Sequence, residues 1–310
     1  MVALSLVLLS GCVSMTPLPV MPQGLAIPAE WSSGSASPAA AATSLAQWWT
    51  RFDDPLLTSL ITRALQHNTS IGNAQASLRQ ARALRDVAAG GLLPVVGGSG
   101  SVQHGTSGGD STGTHFSAGL DASWEIDVFG GNRSALAASD ANSSASAATL
   151  ANVQVSIAAE VALSYVALRS SQTRLSIANE NLSSQLETLQ LTQWRLQAGL
   201  VSSLEGEQAR ASAEQTRAQL PALQKTIGQT QHALAVLTGQ PPAALSAVLS
   251  TPGHLPTVAD DLVLSIPAET LRQRPDVRAA EYAVTGAFAR VAEADAARMP
   301  SFKLSGSLGL

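Results

Sequence analysis

The sequence predicts a mainly α-helical fold that also contains a few long strands of the kind found in membranes. No proline or glycine occurs from Arg133 to Ala198, so one helix can run through all of these residues. Residues 115–129 instead alternate apolar and polar side chains, which is the pattern of a strand with two different faces. The 310 residues are 45% hydrophobic but only 13% charged and 4% aromatic. This composition favours long packed helices over a large mixed core.

Two consecutive heptad-patterned helices predict a coiled-coil hairpin. The first, over residues 133–198, would be about 100 Å long at 1.5 Å per residue. Gly199 interrupts it, and residues 203–238 continue with leucine and isoleucine at the same spacing. A short break between two such helices favours an antiparallel return. The apolar residues that recur every seven positions in the first helix are Val161, Leu168, Leu175, Leu182, Leu189 and Leu196.

Two strands are predicted before this hairpin, at residues 93–104 and 115–129, after a helix from Asp54 to Ala89. The second strand would extend about 45 Å. It has several residues more than the ~9–11 that a tilted strand needs to cross a bilayer. One face suits lipid and the other suits water. We expect the lipid-facing residues to include Phe116, Leu120, Trp124 and Ile126, and the lumen-facing residues to include Asp121, Glu125 and Asp127.

A shift of 206 residues aligns the chain with itself. It places Pro94 on Pro300, and the triplet Ser-Gly-Ser at residues 99–101 on the same triplet at 305–307. The repeated unit is predicted as helix, strand, strand, long helix and return helix. The first copy would cover residues 47–245, a linker residues 246–266, and the start of the second copy residues 267–310. We expect this second copy to be cut within its first strand, so that roughly another 140 to 170 residues would complete it.

The N-terminus resembles a bacterial lipoprotein signal. A short apolar run ends on Leu9, Ser10, Gly11 and Cys12, the order of a lipobox, although no lysine or arginine precedes it. Residues 1–11 would then be the signal peptide, Cys12 the lipidated (palmitate-bearing) first residue, and residues 12–46 a lipid-anchored linker. Val13, rather than aspartate, favours the cell outer membrane as the destination.

Composition and motif spacing argue against other classes of protein. The net charge is −4 and the basic residues are scattered, so no nucleic-acid surface is predicted. The five histidines lack metal-ligand spacing, and Cys12 is the single cysteine. Glu125 and Asp127 lie about 7 Å apart on one strand face, which a glycosidase could use, but small or polar neighbours favour a water-filled lumen. We expect no enzyme, no catalytic residue, no metal and no cofactor.

Five stretches of sequence resemble one family, in its order and at about its spacing. They are QWWTRFDDPLLTSLITRAL from Gln47, SWEIDVFG from Ser123, RLQAGLVSS from Arg195, LTGQPP from Leu237 and RQRPDVRAAE from Arg272. The chain is identified on these stretches as similar to the outer-membrane factors of the TolC/OprM type, and in particular to the NodT-like efflux lipoproteins.

The resemblance implies an assembly as well as a function. Such proteins are homotrimers in which each subunit gives four strands to a shared β-barrel and its long helices to a periplasmic α-helical barrel, the tunnel. They conduct drugs or other solutes outward for an inner-membrane pump, to which a periplasmic adaptor joins them. By the same resemblance the turn at Gly199, Leu200 and Val201 is a tip that contacts the adaptor. The gate residues would lie in the second copy of the unit.

Two other functions share some of these features. A periplasmic adaptor lipoprotein would also have a lipobox and a coiled-coil hairpin, and a structural coiled-coil lipoprotein of the envelope would have both as well. Neither would carry a strand of bilayer length with strict alternation between its helices. The strand at residues 115–129 therefore favours the channel.

Overall fold

A computed structural model describes residues 45–106, 112–257 and 273–310. The predicted signal peptide at residues 1–11, Cys12 and most of the predicted N-terminal linker at residues 12–46 lie outside these residues. The chain divides into two compact units. Within the described residues, the helical unit comprises residues 45–75 and 150–257, and the strand unit comprises residues 76–106, 112–149 and 273–310.

The elements follow one another as helices, strands, a helical hairpin, and then a helix and strand again. A 3-10 helix, Leu45–Phe52, comes first. The remaining elements are α1 Pro55–His67, α2 Thr69–Gly90, β1 Val95–Thr106, β2 Thr112–Ile126, α3 Gly131–Gln197, α4 Ser203–Leu237, α5 Ser246–Ser250, α6 Pro275–Ala296 and β3 Phe302–Gly309.

Several of the predicted boundaries differ from these elements. The helix predicted from Asp54 to Ala89 is two helices, because the backbone of Asn68 is extended (φ −68°, ψ 131°). β2 ends at Ile126 rather than at residue 129, and β1 covers residues 95–106 rather than 93–104. The predicted linker at residues 246–266 begins with the short helix α5.

The helical unit has an apolar core of its own. α1, α3, α4 and α5 contribute to it, together with the 3-10 helix and the start of α2. Burying each large side chain of this kind contributes about 1.5–3 kcal/mol relative to leaving it exposed. The fully buried large side chains are Leu57, Ile61, Ile71, Val161, Tyr165, Leu168, Leu234, Thr238 and Leu249.

The break at Asn68 is held by contacts with the end of α4. The Asn68 side-chain amide donates to the Leu237 carbonyl (2.9 Å), and its oxygen accepts from the Ser70 backbone N–H (2.8 Å) at the start of α2. Gly239 then turns the chain at φ +68°, and a Cβ at this position would lie 2.6 Å from the His67 carbonyl oxygen. Glycine is therefore required here both for the backbone conformation and for space.

A chain of buried polar side chains crosses the same core. The Asp54 carboxylate accepts from the backbone N–H groups of Leu56 and Leu57, which caps α1. Its other oxygen accepts from the Tyr165 hydroxyl at 2.7 Å. The Arg169 guanidinium lies 5.0 Å from the Tyr165 ring centroid. It donates to the Gln172 side chain (2.9 Å) and to a backbone carbonyl after α5 (2.7 Å).

Burial and the bond to Asp54 together raise the pKa of Tyr165, while Arg169 opposes the shift. The hydroxyl therefore remains a proton donor to Asp54 at neutral pH. This row of polar side chains, called the polar chain below, joins residues that are more than a hundred positions apart in the sequence. It therefore stabilises contacts between segments of the helical unit that are distant in the sequence.

The strand unit is a three-stranded antiparallel sheet, in the order β1-β2-β3. Helices adjoin the end of the sheet at which β2 ends (Ile126) and β3 begins (Phe302), and this end is called the foot of the sheet. Small side chains let the helices approach closely, and a Cβ at Gly286 of α6 would lie 3.4 Å from Ala141 of α3. α2 and α3 are joined by Arg85, which donates to the Asp140 carboxylate at 2.8 Å.

The internal repeat has a structural counterpart in this unit. α2 and α6 are both 22 residues long, and each end of α6 lies 206 positions after the corresponding end of α2. β1 follows α2 as β3 follows α6. The shift found in the sequence therefore also relates two helix–strand pairs of the fold.

Candidate functional site: the sheet and the hairpin tip

The apolar face of the sheet is exposed to its surroundings. Its side chains come from alternate positions of all three strands, and the ladder register places them side by side. Strands of 12 and 15 residues are long enough to cross the hydrocarbon core of a bilayer. Exposed apolar groups in a continuous patch indicate an apolar partner, such as lipid. The large side chains on this face are Val96, Val102, Phe116, Leu120, Trp124, Ile126, Phe302, Leu304 and Leu308.

The opposite face is mostly polar and carries small side chains between its charges, apart from Val95, which is opposite Ser123. Ser101 and Ser117 are hydrogen-bonded across β1 and β2 at 2.8 Å. The charged residues are Asp121 and Glu125 of β2 and Lys303 of β3, all exposed. Lys303 is directly opposite Glu125 in the ladder, and Asp121 is opposite Gly97 on one side and Ser307 on the other.

Aromatic side chains mark the foot of the sheet. The Trp124 indole N–H donates to the Leu92 carbonyl at 3.1 Å, which ties β2 to the connection before β1. The Phe129 and Phe302 rings are stacked with their centroids 6.4 Å apart. Aromatic residues at this level are typical of the interface between the hydrocarbon core and water in membrane strands.

Asp127 is not on the polar face, and its predicted lumen-facing position is wrong. The residue follows the end of β2, and its carboxylate accepts from the backbone N–H groups of Asn132 (3.2 Å) and Arg133 (3.0 Å) at the start of α3. The Arg133 guanidinium also donates to it, at 3.1 Å. Asp127 therefore caps α3 instead of facing water. An aspartate shortly before a predicted helix start was the sequence signal for this role.

The electrostatics of Asp127 agree with the role of a cap. Partial burial acts to raise the pKa of its carboxyl group, but the hydrogen bonds from Arg133 and Asn132 outweigh burial and lower the pKa below its ordinary value of 3.8. The group is therefore charged at neutral pH, and its charge lies at the positive end of the helix dipole.

The turn between α3 and α4 contains the three predicted tip residues. Gly199 has φ +71°, and the Leu200 N–H donates to the Arg195 carbonyl, which closes the end of α3. Leu200 is 73% exposed. The Glu205 carboxylate accepts from the Ser202 backbone N–H at 3.4 Å, which caps α4. The turn is thus well defined, and the Leu200 side chain remains uncovered while Val201 is half-buried.

Within the described ranges there is no group of three or more histidine, cysteine, aspartate or glutamate residues that could hold a metal ion. The row of polar side chains from Asp54 to Gln172 is one part of the architecture that the sequence did not indicate, because its members are far apart along the chain.

These features define a class of protein: a long helical hairpin joined to open, two-faced membrane strands. A solved structure of this class, the outer-membrane channel OprN, matches with a TM-score of 0.82 and 36% identity, over 94% of this chain and 67% of that one. A CusC structure matches with a TM-score of 0.74 and 27% identity over the same shares of the two chains.

The family model described as "Outer membrane efflux protein" matches residues 60–240, and the chain belongs to this family. The pyoverdine export outer membrane protein OpmQ of Pseudomonas aeruginosa is 33% identical over 98% of this chain and 66% of its own length. Nodulation protein T of Rhizobium leguminosarum bv. trifolii is 31% identical over 97% of this chain and 65% of its own. The chain thus spans about two thirds of the length of these curated relatives.

Proposed function

We propose that the chain is a subunit of an outer-membrane channel, a passive conduit through which drugs or other small solutes leave the periplasm. The observation that carries this proposal is the three-stranded sheet, which has one exposed apolar face and one polar face. The outer edges of β1 and β3 pair with no other strand among the described residues. A surface of this kind suits lipid on one side and a water-filled lumen on the other. Membership of the efflux family supports the same function.

Closure of the sheet into a barrel requires more strands than these. The smallest membrane barrels have about eight strands, and each unpaired backbone group in hydrocarbon costs several kcal/mol. Strands from other copies of the chain would satisfy the outer edges of β1 and β3. The resemblance to outer-membrane factors favours three copies, in a homotrimer whose twelve-stranded barrel takes four strands from each full-length subunit.

The helical hairpin would form the periplasmic tunnel of the same trimer. In this proposal the exposed turn at Gly199, Leu200 and Val201 contacts the periplasmic adaptor, and the energy for export comes from the inner-membrane pump. Phe116, Leu120, Trp124 and Ile126 face lipid. Cys12 carries the lipid that anchors the N-terminus in the outer membrane.

Conductance is the decisive measurement. The full-length protein, purified from outer membranes, should elute as a trimer and should produce stable conductance steps in planar bilayers, whereas the 310-residue form should not conduct by itself. A protein that stays monomeric and never conducts would refute the channel. That result would favour one of the two alternatives, a periplasmic adaptor lipoprotein or a structural coiled-coil lipoprotein of the envelope.

The tip contact has a separate test. The substitution Leu200→Asp should weaken chemical cross-linking to the adaptor and reduce drug export, because it places a charge in an apolar contact. Gln190→Asp adds the same charge at an exposed position of α3, before the turn, and should leave both unchanged. Equal loss in the two variants would contradict the assignment of the tip.

Lipid attachment has a test that does not depend on transport. Radiolabelled palmitate should be incorporated into the wild-type chain and not into Cys12→Ser. Labelling that persists in the variant would contradict the anchor.

A further inference from the structure

The polar face of the sheet has an unequal distribution of charge along the strands. Lys303 and Glu125 are directly opposite each other, so their Cβ atoms are about 4.5–5.5 Å apart. No ion pair within 4.0 Å joins Lys303 to a carboxylate in the described part of the chain. The ammonium group therefore offsets the charge of Glu125 at short range while both groups stay hydrated.

Asp121 has a different environment on the same face. It lies four residues from Glu125, about 13 Å along the strand, and its ladder partners Gly97 and Ser307 are uncharged. Its carboxylate lies over Gly97, where an added Cβ would be 2.9 Å from Oδ2. The described part of this face thus has two charged levels, meaning two positions along the strands. At the level of Glu125 the charges offset each other, and at the level of Asp121 a carboxylate is unbalanced.

We propose that Lys303 and Asp121 set the charge selectivity of the lumen: Lys303 neutralises the level of Glu125, and Asp121 supplies the net fixed charge. The inference rests on the proposed channel, in which three copies would arrange these groups as rings. The conduit would then favour cationic and neutral solutes over anionic ones.

The magnitude of the effect follows from screening. The Debye length is about 30 Å at 0.01 M salt and about 3 Å at 1 M, so wall charges act across much of a lumen in dilute salt but not in concentrated salt. Low-dielectric walls focus the potential of such charges to several kT. Lys303→Glu changes the net charge of this face from one negative charge per chain to three.

The test is the reversal potential of purified channels in planar bilayers across a KCl gradient. In dilute salt, Lys303→Glu should raise the K+ to Cl− permeability ratio by about threefold or more, and Asp121→Asn should bring the ratio towards one. Lys303→Arg keeps the charge and should leave the ratio unchanged. Lys303→Gln should give an intermediate increase, and it serves as the second variant if Lys303→Glu does not assemble.

The salt dependence separates this inference from a merely structural effect. The change should largely disappear in 1 M KCl, and a change that persists undiminished there would overturn the assignment. Channels that conduct normally but have the same ratio in Lys303→Gln, Lys303→Glu and Lys303→Arg would refute this inference and leave the channel function intact. If neither wild type nor Lys303→Arg forms a conducting trimer, the proposed function fails, and this inference fails with it.

Discussion

The helical unit buries its large apolar side chains, whereas the strand unit exposes them. In the helical unit, leucine, isoleucine and valine side chains from α1, α3 and α4 are fully buried against one another. In the strand unit, the large apolar side chains of the sheet are exposed, for example Phe116 at 69% and Leu308 at 76%. The buried positions of that unit are mostly small residues, such as Ala138 and Ala141.

The difference shows where each unit obtains its stability. A core of large side chains contributes free energy within one chain, because it removes apolar surface from water. Alanine and glycine contacts bring helices close together but bury little apolar area, so in the proposed channel the strand unit would depend on lipid and on further strands. Substitutions should therefore have strong effects on a single chain in the helical unit, and weak ones on the apolar face of the sheet.

The largest contrast is expected between two leucine substitutions. Leu168→Ala, in the buried core, should lower the free energy of unfolding by about 2–5 kcal/mol because it leaves a cavity. Leu120→Ala, at a 58% exposed position of the sheet, should change it by less than about 0.5 kcal/mol. Urea unfolding followed by circular dichroism in detergent measures both. Similar losses in the two variants would contradict the division between the units.

Two glycine substitutions compare how strictly two turns of the helical unit require glycine. Gly239→Ala should cost about 2–3 kcal/mol, because it combines a positive φ with a clash against the His67 carbonyl oxygen. Gly199→Ala has a similar positive φ, but its Cβ would meet no atom within 4 Å. It should therefore cost about 1 kcal/mol. The same unfolding measurement ranks them, and an equal cost would mean that the contact with His67 is unimportant.

Much of this architecture could be predicted from local patterns. Absence of proline and glycine indicated the length of α3, strict alternation indicated β2, and Gly199 indicated the turn of the hairpin. These features depend on neighbours within a few residues, so a single sequence contains them. The break at Asn68 is different, because it depends on a hydrogen bond to Leu237, 169 positions away.

The polar chain through Tyr165 and the cap at Asp127 show the same limit. An alternating pattern placed Asp127 on a strand face, but the competing hydrogen bonds from Asn132 and Arg133 end the strand before it. Helix capping outweighs strand alternation there. Arg169 lies within a helix with an apolar repeat, and nothing nearby in the sequence indicates its contacts after α5.

A pair of tyrosine substitutions tests the buried polar chain directly. Tyr165→Phe removes the hydrogen bond to Asp54, and should lower the free energy of unfolding by about 1–2 kcal/mol because a carboxylate oxygen loses its donor. Tyr282 of α6 is half-buried in the strand unit, and Tyr282→Phe should have little effect. Thermal unfolding in detergent compares the two. A smaller effect of Tyr165→Phe than of Tyr282→Phe would refute the structural role of the polar chain.

The smallest effect, and the one that depends on pH, is expected at Asp127. Its pKa is lower in the folded protein than the ordinary 3.8, so its charge stabilises the fold above that pH, and the contribution is lost as the pH falls through the folded-state value. Asp127→Ala should lower the free energy of unfolding by about 1 kcal/mol at neutral pH, because α3 loses its cap.

Asp127→Asn keeps an oxygen acceptor but has no titrating charge, so it should cost less than Asp127→Ala and should remove this part of the acid dependence. Asp121→Asn, on the exposed polar face, is the matched control and should leave the stability of a single chain unchanged. Unfolding measured from pH 7 down to about pH 3 distinguishes the three variants. If wild type and Asp127→Asn lose stability in parallel below about pH 4, then the capping charge does not hold the foot of the sheet to α3.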